Sequence, residues 1–181
     1  MRAFLGVSMP QELVQRILKV QEKLSDFDIK FVEKENLHFN IKFFRDIEEE
    51  KLSKLKEILK DVCSQFEKFD IKIVGIGTFP SKTYIRVIWI GVKDGYTNFV
   101  NLANLINDSL QSLGFEREER FIPHLTLGRV RSGRNKEKLI VLTRELENIE
   151  IGKMKVERIV LFQSKLSPKG PVYQEVFSIE L

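Results

Sequence analysis

Little in this chain of 181 residues advertises chemistry. It has one cysteine, Cys63, so no internal disulfide can form, and a cytoplasmic, reducing location is expected. Cys63 falls in an apolar helical stripe, where a buried inert thiol is expected rather than a nucleophile. No run of eighteen apolar residues exists, which excludes a transmembrane helix. The opening "MRAFLGVSMP" has one basic residue and a short apolar run, and reads as a first strand rather than a signal peptide. No Pro/Gly/Ser-rich linker and no low-complexity tract interrupts the sequence, so a single domain over residues 1–181 is expected. Histidine is scarce too: there are two, His38 and His124.

What is present is ordinary globular material. A hydrophobic content of 43% with 31% charged residues excludes a disordered chain. The net charge of +4 permits an anionic partner such as RNA without requiring one. Much of the charge lies on mixed helical faces such as "EEEKLSKLKEILK".

The hydrophobic period sets out an α+β order. Residues 2–8 alternate as a strand, with Ser8 a candidate helix cap and Pro10 near the first turn. Leu13, Ile17, Val20 and Leu24 then recur at helical steps. "DIKFVEKENLHFNIKFF" reads as two extended segments parted by Glu33 to Asn36. A helix from about Glu48 to Phe66 buries Leu52, Leu55, Leu59, Val62 and Phe66. The strands "FDIKIVGIGTFP" and "TYIRVIWIGV" follow, then a helix from about Thr97 to Leu113 stopped by Gly114. After the strand "FIPHLTLGRV" come a short helix over 135–147 and two late strands, "KVERIVLFQSKL" and "PVYQEVFSIEL". The histidines stand 86 residues apart (124 − 38), near half the chain, and each histidine strand precedes a helix and then a pair of strands. That echo suggests duplication into two similar lobes, not a solenoid.

Residues i and i+2 of a strand share a face. His38 and Asn40 therefore point away from Leu37, Phe39 and Ile41, as His124 and Thr126 point away from Leu125 and Leu127. If the lobes are related by a pseudo-twofold axis, the two polar faces meet across a cleft. One imidazole can then take a proton while the other gives one. In-line displacement at phosphorus needs that pairing, a base for the entering oxygen and an acid for the leaving one. Thr126 and Asn40 can donate hydrogen bonds to non-bridging phosphate oxygens, and Arg129, just past the strand, can add charge and a fork of donors. Two histidines without a nearby carboxylate or cysteine make a poor metal site, so neither metal nor cofactor is expected. A lone histidine in an apolar strand would read as a packed core residue. Two with one pattern, half a chain apart and without companions, put catalysis on an equal footing with that packed role.

These motifs resemble the two-histidine (2H) phosphoesterase superfamily, whose signature is two H-x-T-x tetrapeptides. Within it the chain is similar to the archaeal and bacterial RNA 2′,3′-cyclic phosphodiesterases, also called 2′-5′ RNA ligases. The match runs through "MRAFLGV", "HFNIKFF", "GIGTFPSKTYIRVIWIGV", "PHLTLGRV" and "SKLSPKGPVYQEV". The resemblance implies a bilobal α+β fold, with two pseudo-twofold-related lobes of antiparallel sheet and helices around a central cleft. It implies hydrolysis of RNA 2′,3′-cyclic ends to 2′-phosphomonoesters, with His38 as proton donor to the 3′ oxygen and His124 as proton acceptor for water. It gives Thr126 and Arg129 to the phosphate, and it implies possible reverse 2′-5′ joining of tRNA halves. A monomer acting on RNA ends, tRNA fragments among them, is expected. The departure is Asn40, where the family has Thr. That change keeps two other readings open: an RNA-end-binding protein with impaired catalysis, or a phosphodiesterase for a small cyclic or 2′-5′-linked nucleotide.

Overall fold

The alternation of the two histidine strands puts them side by side at the middle of one antiparallel sheet. The computed structural model describes residues 1–181. In chain order the elements are β1 (Ala3–Ser8), α1 (Gln11–Lys23), β2 (Ile29–Phe31), β3 (His38–Phe44), α2 (Glu49–Cys63), β4 (Phe69–Pro80) and β5 (Ile85–Val92). They continue with α3 (Tyr96–Leu110), β6 (His124–Val130), α4 (Lys136–Glu145), β7 (Glu150–Val156), β8 (Arg158–Ser167) and β9 (Gly170–Glu180). The strand order is β7-β4-β5-β6-β3-β1-β8-β9, with β2 added on β6.

Two half-sheets of four strands, β7-β4-β5-β6 and β3-β1-β8-β9, meet at β3 and β6 through one residue pair, Phe39 opposite Leu125. Those residues are themselves 86 apart (125 − 39), so the pseudo-twofold axis passes through this seam. Both side chains are fully buried behind it. The expected pair of sheets is thus two half-sheets hinged on a narrow join.

Amphipathic helices cover the apolar faces. α4 packs on β4 and α2 on β9, each within its own half. The other two cross over: α1 leaves β1 and packs on β7, while α3 leaves β5 and packs on β3. Leu13, Ile17, Val20 and Leu24 are buried as the helical period requires, as are Phe99, Ala103, Ile106 and Leu110 on α3. One buried cluster joins both halves.

Three expectations need correction. Ser8 does not cap α1, because β1 continues pairing until Ser8 lies opposite His38; Pro10 takes the cap position with no side-chain bond. "KVERIVLFQSKL" is not one strand. β7 ends at Val156 and β8 begins at Arg158, where the chain passes from one half-sheet to the other. Arg129 lies inside β6, opposite Val87 and Lys30, rather than past its end.

Candidate active site

Each motif strand carries a β-bulge at the same place. Between β1 and β3 the pairing runs from Gly6–Asn40 to Leu5–Lys42, leaving Ile41 over. Between β5 and β6 it runs from Trp89–Thr126 to Ile88–Gly128, leaving Leu127 over. Ile41 and Leu127 are again 86 apart (127 − 41), and both are buried. An extra residue reverses the alternation beyond it. Counting by twos from His124 would bury position 129. The bulge turns Arg129 outward onto the histidine face, and the matching bulge in β3 leaves Lys42, the counterpart of Gly128, pointing inward.

Lys42 is 3% exposed. Its Nζ donates to Asn107 Oδ1 at 2.8 Å and to the Glu116 carbonyl at 2.7 Å. Burial pulls its pKa down, partly offset by the charges of Glu118 and Glu116.

The imidazoles are held alike. His38 Nδ1 lies 2.6 Å from the Asn36 carbonyl oxygen, and His124 Nδ1 lies 2.6 Å from the Ile122 carbonyl oxygen. A carbonyl only accepts, so in both rings Nδ1 carries the proton and Nε2 is left for other work. Burial is the main cause of a lowered pKa in both. The carbonyl bonds oppose that shift. The charge of His124 adds to it for His38, and that of Arg129 for His124. The two rings therefore feel one another.

Aromatic side chains enclose both rings, and sequence reasoning missed them. The His38 ring lies 4.5 Å from Phe4 and 5.4 Å edge-on from Tyr173, between centroids. The His124 ring lies 5.1 Å from Phe79 and 5.8 Å from Trp89. Trp89 lies so close over Gly77 that a Cβ there would stand 2.2 Å from the indole. Gly6 gives similar room: a Cβ would come within 2.6 Å of the Phe39 carbonyl and 3.4 Å of the His38 ring. The signal for these residues lay in the cross-strand neighbours of the motif strands, and pairing cannot be read from one strand alone. The Tyr173 hydroxyl has its pKa raised by burial, against the charges of Arg129 and Arg2. Arg129 thus acts on groups in both halves, Tyr173 on β9 and His124 on β6.

Asn40 and Thr126 are half-buried on the same faces as their histidines. The Asn40 Oδ1 is buried without a hydrogen-bond partner, as is Trp89 Nε1. A cavity of about 290 Å³ beside Trp89 is lined by Thr78, Lys82, Arg144 and Glu147, but by neither histidine. No group of three or more His, Cys, Asp or Glu side chains converges anywhere in the chain. Cys63 is buried and its thiol is pushed up to about 11, which leaves it unreactive. No helix is long and apolar enough to cross a membrane.

The arrangement offers two Nε2 atoms, a guanidinium and short polar groups on one polar wall, a set suited to moving protons around an anion. Comparison with known proteins gives the family. The family described as LigT like Phosphoesterase matches the chain twice, over residues 7–89 and 90–173. The chain is 42% identical to the RNA 2′,3′-cyclic phosphodiesterase of Methanothermobacter thermautotrophicus, over 98% of each chain. It is 40% identical to the protein of that name from Methanocaldococcus jannaschii, over 97% of this chain and 98% of the other. Among solved structures, TT0787 of Thermus thermophilus superimposes with a TM-score of 0.83 at 26% identity, covering 100% of this chain and 98% of the other. Escherichia coli LigT in apo form has the same fold, with a TM-score of 0.78 at 20% identity over 99% of this chain and 96% of its own.

Proposed function

The chain belongs to the LigT-like phosphoesterase family, and from that premise we propose that it hydrolyses RNA 2′,3′-cyclic phosphodiester ends to 2′-phosphomonoesters by metal-free acid–base catalysis. The observation that carries this reading is the matched anchoring of both rings. Each Nδ1–H is spent on a carbonyl at 2.6 Å, so each Nε2 is the atom offered for proton transfer.

His124 Nε2 takes a proton from water as the water oxygen bonds to phosphorus. His38, protonated at Nε2, gives its proton to the 3′ oxygen as the P–O3′ bond breaks. The 2′ linkage survives, leaving a 2′-phosphomonoester and a free 3′-hydroxyl. The His38 proton ends on the 3′-hydroxyl and a proton of the water ends on His124, so the two rings exchange protonation states and solvent resets the pair. The shifts suit these roles. The Arg129 charge favours a neutral His124 that is ready to accept, and the charge His124 gains from water then opposes the proton on His38 and helps it leave. Thr126 and Asn40 donate to the non-bridging oxygens, and Arg129 balances the charge that builds on them. A 5′-hydroxyl in place of water would make a 2′-5′ bond by the same proton movements. RNA fragments such as cleaved tRNA are the substrates proposed, in the reducing cytoplasm that a single buried thiol suits.

One observation favours a second reading, RNA-end binding with impaired turnover: position 40 holds an amide with a buried, unpartnered oxygen where the family has a hydroxyl. A single experiment separates them. An oligoribonucleotide ending in a 2′,3′-cyclic phosphate is incubated with the protein and a chelator across pH, and products are followed by ³¹P NMR. The expected product is the 2′-phosphomonoester. Its rate should follow a bell centred below about pH 6.5, because burial disfavours the charged form of both rings. Substrate bound but unchanged at every pH would select the binding protein, and loss of turnover on chelation would overturn the metal-free mechanism.

A further inference from the structure

Beyond the motifs the two halves part company in charge. After β3 the chain runs "RDIEEEK" into α2, which gathers Asp46, Glu48, Glu49 and Glu50 at that end. At the matching place after β6 it runs "RSGRNKEK" into α4, which gathers Arg131, Arg134, Lys136 and Lys138. β3 and β6 are antiparallel, so these segments lie at opposite ends of the motif strands. A polyanion leaving the histidines meets carboxylates one way and cations the other.

The basic end is also shaped. Tyr84, Arg86, Arg131, Ser132 and Lys136 line a cavity of about 240 Å³ to which no carboxylate contributes. None of its three cations enters an ion pair. Arg86 Nη1 donates only to the Tyr84 hydroxyl, at 3.3 Å. Tyr84 is 54% exposed, which leaves its ring open beside these cations. Lys136 opens α4 and brings its ammonium to the same space. Ser132 adds a hydroxyl donor. Unpaired cations, a hydroxyl and an open aromatic face in one concavity match a nucleotide phosphate with its base.

We propose that this pocket is a second phosphate site for single-stranded RNA. It holds an internal phosphodiester of the strand whose cyclic end lies at His38 and His124, and Tyr84 stacks a base of that strand. The proposal rests on the cyclic-end reading above. Arg131 stands seven positions beyond His124 along β6 and its exit, roughly 20 Å of extended chain and several nucleotides of RNA. A mononucleotide cannot span that distance, so the pocket selects oligomers. It also sets direction, because the RNA lies over the β6–α4 end and avoids the acidic start of α2.

The test compares hydrolysis of a nucleoside 2′,3′-cyclic phosphate with that of a ladder of oligoribonucleotides bearing the same end. With the unaltered protein, KM should fall as the ladder lengthens and then level off. In the double variant Arg131→Ala, Lys136→Ala, KM for the long substrates should rise about tenfold, while kcat and KM for the mononucleotide stay within about twofold. The slope of log KM against log salt should fall by about 0.7 for each phosphate that the variant no longer neutralises. Tyr84→Ala should raise KM for long substrates alone. A KM independent of length, or an equal loss on the mononucleotide, overturns the pocket. Should the unaltered protein hydrolyse nothing, the catalytic reading fails by itself. Anisotropy of a labelled oligoribonucleotide with a 2′-phosphate end then still decides: weaker binding by the double variant supports the pocket, and equal binding overturns it.

Discussion

The walls at His38 and His124 agree in everything that fixes an imidazole and disagree in nearly everything around it. Each ring is tied through Nδ1 to the carbonyl two residues earlier, each stands beside the seam, and each strand bulges three residues later. The fillings then diverge. His38 has Phe4 and Tyr173 where His124 has Phe79 and Trp89. Asn40 matches Thr126, and Phe43 matches Arg129. At the next matched pair β6 has Gly128, where a Cβ would strike Ile29 and the Lys30 carbonyl because β2 lies against it. β3 has Lys42 there. The segment matching β2, residues 115–117, is no strand, and the Lys42 ammonium reaches the Glu116 carbonyl instead. One half closes that gap with backbone pairing and the other with a buried charge. Atoms that must move protons tolerate no variation, whereas the supports behind them have more than one solution.

The sharpest way to break this comparison is to remove each ring in turn. His38→Ala and His124→Ala should each lower turnover roughly 10²- to 10⁴-fold on a cyclic RNA end. A substrate whose aryloxide leaves without a proton should restore the His38 variant and leave the His124 variant impaired. Equal restoration of both would erase the distinction between acid and base. Next in size is Lys42→Met, which strands the Asn107 oxygen and the Glu116 carbonyl and should cost about 2–3 kcal/mol in denaturant unfolding. An unchanged midpoint would mean that the ammonium does not replace the missing strand. The smallest effect is Asn40→Thr. It makes the walls alike and removes a buried unpaired oxygen, so turnover should rise about two- to fivefold. A fall would mean that the amide is adapted to its place.

The strand period alone put His38 with Asn40 and His124 with Thr126, and the structure keeps those faces. The helical stripes were nearly as legible, since burial on one side is all that they encode; on α2 Leu52 is only half-buried, and the helix ends at Cys63, before a half-buried Phe66. Arg129 was legible as a residue but not as a direction. A bulge shows itself in the register between two strands, and a single strand carries no record of it. Tyr173, Phe4, Phe79 and Trp89 were hidden for the same reason, as their part in the site depends on which strands become neighbours. β7 escaped because "EIGKMKV" is a lysine-bearing edge strand with little apolar content and a glycine at φ 152°.

The seam has a further consequence. With one pair of residues on the pseudo-twofold axis, and with α1 and α3 each lent to the opposite half, neither half holds a complete cleft. An ancestor of half this length would have built it only as a homodimer, with a single histidine codon supplying both rings. In such a dimer acid and base are interchangeable by symmetry, and neither could be improved for its own task. With both repeats in one chain the two positions can differ, and the unequal surroundings of His38 and His124 are what that freedom allows.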